Sequence, residues 1–329
     1  MPAEGGASAR QTGAHVTVVL PTHRRPAALQ RVLDGLSRQH DPGVPWDLVV
    51  VDNNDTPPST AIDAADARRR LPMPVRVVAE SALGASNARN RGIVEATGTI
   101  VAFIDDDVVP DDNWLAHVVE PLLAGRCDAV GGRVHLDPSV PLPHWLAPWL
   151  LPYLAEFHPA DEEVDLRSLP PNVISEPYLL TANAAFTAEI LSRCEGFDPL
   201  LGPRQGVPLV NDDVSLCRQV FAAGGTIHYV PDARVVHELP RQRLRRRYLV
   251  RRLYAQGRSD WRLNREVLGS SRSAGVRFAT IDYALELARQ VVAGSPYKPA
   301  HTYLWIETAR RAGFLRESVA HLARRRRPL

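Results

Sequence analysis

The chain has 329 residues, 45% of them apolar and 23% charged, with a net charge of +2. This is the composition of a soluble globular protein, long enough for one large α/β domain with an appendage or for two domains. Near-balanced charge and the lack of an aromatic stacking platform argue against nucleic acid as a partner, and three scattered cysteines (Cys127, Cys194, Cys217) exclude a disulfide scaffold or zinc cluster and fit a reducing compartment.

Met1–Gly13 is small and polar and reads as a disordered start, not a signal peptide. No apolar run reaches the roughly 18 residues of a membrane span. His15–Leu20 is a short apolar strand ending in Pro21-Thr22-His23-Arg24-Arg25-Pro26. Apolar residues at Ala28, Leu29, Val32, Leu33 and Leu36 predict a helix over Ala27–Arg38. No glycine-rich turn joins the two, which argues against a dinucleotide-binding domain. Trp46–Val51 is a second strand, ending in Asp52-Asn53-Asn54-Asp55. Asp52 or Asn53 can hydrogen-bond a nucleobase or ribose, and the same residues suit an Asx turn. A short helix over Ser59–Arg70 and a third strand over Val75–Val78 follow. Gly84 opens a helix that runs to about Ala96. Arg89 in its first turns can neutralise a phosphate, pair with carboxylates or face solvent.

Thr99–Asp107 is the most informative stretch. Ile100–Ile104 is apolar throughout and predicts a strand buried on both faces. It delivers Asp105, Asp106 and Asp107 at its C-terminal end, where open α/β sheets bind ligands. Three adjacent carboxylates repel one another unless a cation neutralises them, and carboxylate oxygens suit Mg²⁺ or Mn²⁺. Taken alone, the triplet is equally a solvated turn before a helix.

Trp114–Leu123 reads as a helix and Ala129–Val134 as a strand. Four prolines break Val140–Leu154, whose Trp145, Trp149 and Tyr153 form either an aromatic wall for a ligand or an apolar loop over the sheet. Val173–Phe186 reads as a strand with small polar breaks, and Gly202–Val210 as a mobile lid. Asp212 and Asp213 open a helix, as caps or as functional acids. Thr226–Tyr229 and Ala233–His237 read as two short strands. Beyond Pro240, Arg241–Arg262 holds nine arginines against one acid, Asp260, and further helices are expected over Ala274–Val292 and Thr302–Ala323. Leu244, Tyr248, Leu249, Leu253 and Tyr254 predict one face of the arginine-rich helix packed on the body. The expected division is therefore 1–13, a disordered N-terminus; 14–240, an α/β domain; and 241–329, a basic helical region.

The ordered set of Val16–Thr22, Leu48–Asp55, Gly84–Gly92, Ile104–Asp107, Gly196-Phe197-Asp198, Asp212–Leu216 and Val230–His237 resembles the family 2 glycosyltransferases. The likeness covers Val16 to His237 and departs from the family in having Asp212-Asp213 where Glu-Asp is usual. It implies a GT-A fold, with a mostly parallel, Rossmann-like central sheet flanked by helices and a C-terminal helical appendage. It also implies an inverting, metal-dependent hexosyl transfer from a nucleotide-diphosphate sugar. Asp107, Asp105 and His237 are then the residues for Mn²⁺ or Mg²⁺. Pro21, Thr22, Asp52, Asn53, Gly84, Arg89, Asp105 and Asp106 are expected at the donor, and Asp213, assisted by Asp212, is the expected base. Trp145, Trp149 and Asn183 are the candidates for the acceptor. The expected setting is cytoplasmic, with peripheral contact between the arginine-rich helix and anionic lipid.

Two other classes fit parts of the chain. Asp105-Asp106-Asp107-Val108-Val109 matches the nucleophile motif of haloacid-dehalogenase-like phosphatases, but that motif sits on a first strand and needs a downstream basic residue, usually lysine. The only lysine here is Lys298, in the helical tail. A non-catalytic nucleotide-sugar-binding module is the other alternative, weakened by the intact acidic pair and His237.

Overall fold

The computed structural model describes residues 13–54, 71–169, 176–204, 207–265 and 300–325, the last stretch with side chains over 307–321. Nine strands form one sheet. They are β1 (Val16–Thr22), β2 (Trp46–Asp52), β3 (Val75–Ala79), β4 (Ile100–Ile104), β5 (Val108–Pro110), β6 (Ala129–Leu136), β7 (Val164–Asp165), β8 (Asn183–Thr187) and β9 (Ile227–His237). Their order is β3-β2-β1-β4-β8-β6-β9-β5, with β7 against β9. β1 to β4, β6 and β9 share one direction, because β8 reverses between β4 and β6. This is the expected mostly parallel α/β sheet.

The described helices are α1 (Pro26–Ser37), α2 (Ala85–Glu95), α3 (Trp114–Leu123), α4 (Ala188–Ser192), α5 (Asp212–Ala222), α6 (Arg246–Leu263) and α7 (Ala300–Arg325). The central strands are buried on both faces, as their unbroken Val/Ile/Leu runs require. Thr17 is the polar exception inside β1. Its hydroxyl donates to Asp47 at 2.7 Å and accepts from the Gly98 N–H at 3.0 Å, so its burial leaves no unpaired group.

Several boundaries differ from the sequence expectation. β1 continues through Pro21 to Thr22, and each of its residues pairs in register with β2. The two strands expected at 226–237 are one, β9, with a register break opposite Gly132–Arg133. Pro231 falls in that break, where a residue without an N–H costs no ladder bond. Within Val173–Phe186 the described strand starts at Asn183. A 3₁₀ helix over Pro148–Leu154 replaces the proline-broken loop. The disordered start over residues 1–12, the Ser59–Arg70 helix and the Ala274–Val292 helix lie outside the described residues.

α6 packs as expected through Leu249 and Leu253, which are buried with Leu146, Leu150, Leu154 and Leu239. It crosses α7 at two glycines. A Cβ on Gly257 would lie 1.7 Å from the Arg310 carbonyl oxygen, and one on Gly313 would lie 1.9 Å from that of Tyr254. Around this crossing Arg258 and Arg262 pair with Glu317, and Arg310 with Asp260. A second close approach sets α2 on β1, where a Cβ on Gly92 would lie 2.1 Å from Val19 Cγ1. Gly92→Ala must therefore lift α2 from the sheet. We expect a loss of about 1–3 kcal/mol in denaturant unfolding, the usual cost of overpacking, together with weaker binding at the site that α2 supports.

Candidate active site

β1, β2 and β4 end on the same edge of the sheet, and a cavity of about 710 Å³ opens there. Pro21, Thr22, Asn53, Gly84, Arg89, Asp105, Asp106, Asp107, Asp212, Asp213 and His237 all line it. Residues separated by up to 216 positions thus share one cleft, at the edge where open α/β sheets bind ligands.

Arg89 is the hub. It is buried beneath the cleft, and its Nη2 donates to both oxygens of Asp105, at 2.7 and 3.0 Å. Its Nη1 donates to Asp212 Oδ2 at 2.8 Å. Its guanidinium carbon lies 5.5 Å from the centre of the Phe197 ring, while its Nε has no acceptor. Burial works against the charge, but Asp105 and Asp212 outweigh it and raise the pKa above the ordinary arginine value. Phe197 is fixed in turn by Asn90, whose side chain donates to the Phe197 carbonyl and accepts from its N–H, both at 2.8 Å. Gly84–Gly92 and Gly196–Asp198, far apart in sequence, are therefore one structural unit.

Each aspartate of the triplet has its own environment. Asp106 accepts from Thr22 Oγ1 at 2.9 Å and from Arg25 Nη1 at 3.0 Å. Burial pushes its pKa up to about 6, with Arg25 opposing and Asp107 adding to the rise. Asp107 Oδ2 accepts from Arg25 at 2.7 Å and from Arg243 at 3.2 Å. Burial opposes its ionisation, yet His237, Arg25 and Arg243 hold its pKa below the ordinary value. His237 Nε2 faces Asp107 Oδ1 at 3.6 Å, and its buried Nδ1 has no partner. Burial lowers the His237 pKa, which favours the neutral imidazole that a metal ligand must be.

Asp107 and His237 thus bring a carboxylate oxygen and an imidazole nitrogen within 3.6 Å of each other, with Arg243 Nη1 3.4 Å from that nitrogen. Among the described residues no set of three His, Cys, Asp or Glu side chains is grouped as metal ligands. Asp105 is turned to Arg89 instead. Two protein ligands with phosphate oxygens completing the shell is the usual manner of holding Mg²⁺, so the donor set fits such an ion.

Asp213 accepts from the Thr181 hydroxyl, and from the Thr181 N–H at 3.3 Å. Burial and then the neighbouring Asp212 raise its pKa to about 7. The pair opens α5 directly after Asn211, which is buried in a left-handed backbone conformation with φ 71°. Asn211 tolerates it because its side chain is held by Gln256 at 2.8 Å and by Asp260 at 2.9 Å, both from α6.

Some expected residues serve elsewhere. Asn183 is buried in the core and not in the cleft: it accepts from Trp114 Nε1 and donates to the carbonyls of Arg133 and Ala233. Trp145 and Trp149 pack in the apolar cluster beneath α6, and the 3₁₀ helix that carries Trp149 offers Pro152, Tyr153 and Leu154 to the cavity instead. Asp52 is buried behind the cleft and caps Asn54 in an Asx turn. Asn53 reaches the cavity, but its amide is spent on Glu80, Ala82 and Gly84, so it shapes the loop that leads into α2. Sequence reasoning missed Arg25, whose side chain bridges Asp106 and Asp107. It also placed a boundary at 240/241, yet Arg243, Tyr248, Arg251, Arg252 and Gln256 form a wall of the cavity. The excess of arginine over acid after Pro240 was the available signal for that wall.

The family model that matches the chain, over residues 17–170, is the glycosyl transferase family 2 model. Over these residues the chain is similar to the family 2 glycosyltransferases. The family 2 match takes in Arg89 and the aspartate triplet and stops before Asp212, Asp213 and His237. The chain is similar to the succinoglycan biosynthesis protein ExoM of Rhizobium meliloti, at 27% identity over 79% of this chain and 78% of that protein. In fold it is similar to the mannosyltransferase PcManGT of Pyrobaculum calidifontis, solved with GDP-Man and Mn²⁺, at TM-score 0.58 and 20% identity over 94% and 89% of the two chains. S. aureus TarS is a further likeness in fold, at TM-score 0.50 and 17% identity over 77% of this chain; the match spans 39% of the TarS chain. The fold is that of the GT-A glycosyltransferases.

The raised pKa of Asp213 has a signed consequence. A carboxyl that ionises at about 7 in the fold and near 3.8 when unfolded favours the fold at low pH. That contribution is complete below about 4 and is lost as pH rises through 7. Asp213→Asn should therefore raise the thermal midpoint at pH 8, with the gain shrinking to nothing near pH 4 in a series of melts.

Proposed function

We propose that the protein transfers a hexose from a nucleoside diphosphate sugar to an acceptor hydroxyl, with inversion. The observation that carries this reading is the double bond of Arg89, which ties the triplet at the end of β4 to the acidic pair at the start of α5. One cleft thereby holds a cation-binding carboxylate end and a separate proton-accepting end.

Asp107 and His237 are the residues to hold Mn²⁺ or Mg²⁺. Such an ion supplies Lewis-acid stabilisation of charge on a departing diphosphate. Arg25 and Arg243, already bonded to Asp107, stand where they can add hydrogen bonds to that diphosphate. Thr22 and the His23 N–H fix Asp106, and Asn53 and Gly84 set the loop against which the nucleoside lies. Asp213 takes the proton from the acceptor hydroxyl as its oxygen attacks the anomeric carbon. Asp212 is committed to Arg89, so its part is to position the base rather than to be it. The phosphatase alternative gains no support: three strands precede β4, and Asp105, its would-be nucleophile, is held by Arg89 through both oxygens.

Asp213→Asn should lower transfer by about 10²–10⁴-fold while donor affinity stays near that of the wild type, the pattern of a lost general base. In the same assay Asp107→Ala should remove the divalent dependence of donor binding. Equal Mn²⁺-dependent affinities for Asp107→Ala and wild type would sink the metal assignment. A drop on Asp212→Asn without one on Asp213→Asn would reverse the roles in the pair.

A peripheral membrane contact fits the outer face of the basic region. Arg241, Arg245 and Arg247 are exposed there, and each near-surface arginine is worth about 1 kcal/mol on anionic lipid. No helix among the described residues is long and apolar enough to cross a membrane. Flotation should recover the protein with anionic liposomes at low salt and lose it at high salt, where the charges are screened. Equal recovery with neutral liposomes at low salt would refute the contact.

A further inference from the structure

The guanidinium groups around the cleft are not equivalent. Arg25 and Arg243 are bonded to Asp107, and Arg89 to Asp105 and Asp212. Arg252 differs. It enters the cavity from α6 beside Tyr153, Tyr178 and Tyr248. Among the described residues it has no carboxylate partner, and its bonded neighbour is an amide, Gln256 Oε1, at 2.9 Å from Nη1.

That amide is itself fixed. Gln256 Nε2 donates to Asn211 Oδ1 at 2.8 Å and to Asp260 Oδ1 at 2.9 Å. Asn211 precedes Asp212 directly, so a continuous chain of hydrogen bonds sets Arg252 in register with the acidic pair. Tyr178, buried in the cavity wall, lies within electrostatic reach of both Asp213 and Arg252. Arg252 therefore belongs to the Asp213 end of the cleft and not to the Asp107–His237 end. Burial lowers the pKa of its guanidinium, and the neighbours that offset this are led by tyrosines rather than by a bonded acid. The one acid among those neighbours, Asp260, is bonded to Arg310, so an anion in the cavity would give this cation the partner it lacks.

We propose that Arg252 binds a negative charge on the acceptor, a phosphate ester or a carboxylate carried near the hydroxyl that Asp213 deprotonates. The proposal rests on the transferase reading above and names the substrate class for its second site. The three tyrosines add apolar ring faces and hydroxyl donors suited to a sugar or to the first carbons of a lipid phosphate. A neutral acceptor would leave the guanidinium with its amide and tyrosine neighbours alone.

The test uses the full chain, saturated with Mn²⁺ and either UDP or GDP so that the donor end is occupied. Calorimetry then measures binding of glucose 6-phosphate, glucuronate and decyl phosphate, with methyl glucoside as the neutral control. At least one anionic probe should bind the wild type more tightly than the control does. Arg252→Gln should weaken that probe by about tenfold or more, the worth of a charge-assisted hydrogen bond. Arg252→Lys should restore part of the affinity, and nucleotide binding should be unchanged in both. Preference for decyl phosphate over the sugar probes would mark a lipid headgroup as the source of the charge; the opposite order would mark an anionic carbohydrate. Equal probe affinity in wild type and Arg252→Gln overturns the proposal, and so does an anionic probe that binds no better than methyl glucoside. Loss of nucleotide affinity in Arg252→Gln overturns it too, by placing Arg252 at the donor end. If neither nucleotide binds the wild type with Mn²⁺, the transferase reading fails first and takes the inference with it.

Discussion

A single buried guanidinium holds this site together. Asp105 and Asp212 belong to parts of the chain more than 100 residues apart, and both are bonded to Arg89. Without that cation, two carboxylates would be drawn into a poorly solvated cleft with only repulsion between them. With it, each of three charges has a partner, while the Nε of the arginine keeps no acceptor. The arginine is planar and forked, so it sets direction as well as distance. It also rests against Phe197, which Asn90 bonds to the same helix. The end of β4, the start of α5 and the turn at Gly196 are therefore positioned by one residue on α2.

The helix that carries Arg89 can do this because it sits unusually close to the sheet. Gly92, one turn after Arg89, leaves the room that Val19 fills. The same device recurs where α6 and α7 cross at Gly257 and Gly313. There the close approach seats α7 on α6, whose Arg252 and Gln256 line the cavity. The arginine-rich region is thus part of the site rather than an addition to it. Its arginines divide by position: Arg243 serves the triplet, Arg252 faces the cavity, Arg258 and Arg262 bind Glu317, and Arg241, Arg245 and Arg247 face outward.

The carboxylates share a cleft but not a role, and environment explains the difference. Asp107 is surrounded by cationic and imidazole nitrogens and stays ionised, as its proposed part in holding a metal requires. Asp213 has a hydroxyl and an amide as its bonded partners, so its proton is held to near neutral pH, as its proposed part as the base requires. Asp106 is spent on Thr22 and Arg25 and ties β1 to the triplet. Asp106, Asp107 and Asp213 thus differ in ionisation behaviour, set by what each is packed against.

The sequence by itself determined strands β1 to β4 and β6, the buried run before Asp105, the helix that bears Arg89 and the grouping of polar residues at strand ends, but not β5, β7 or the unity of β9. These follow from periodicity and from where an α/β sheet binds ligands, both local properties of the chain. It also carried the family likeness, because those polar residues recur in a set order. What only the tertiary structure decided was partnership. Asn183 and Trp145 look like ligand-facing residues in one dimension, yet the first is consumed by Trp114 and two carbonyls and the second by an apolar cluster. Arg25 and Arg252 look like ordinary members of a charged chain, yet folding leaves one bridging two aspartates and the other facing the cleft beside an amide. A side chain's chemistry is written in the sequence. Whether a hydrogen bond or a charge is already satisfied depends on residues that can lie 50 to 123 positions away, and that is known only once the chain has closed on itself.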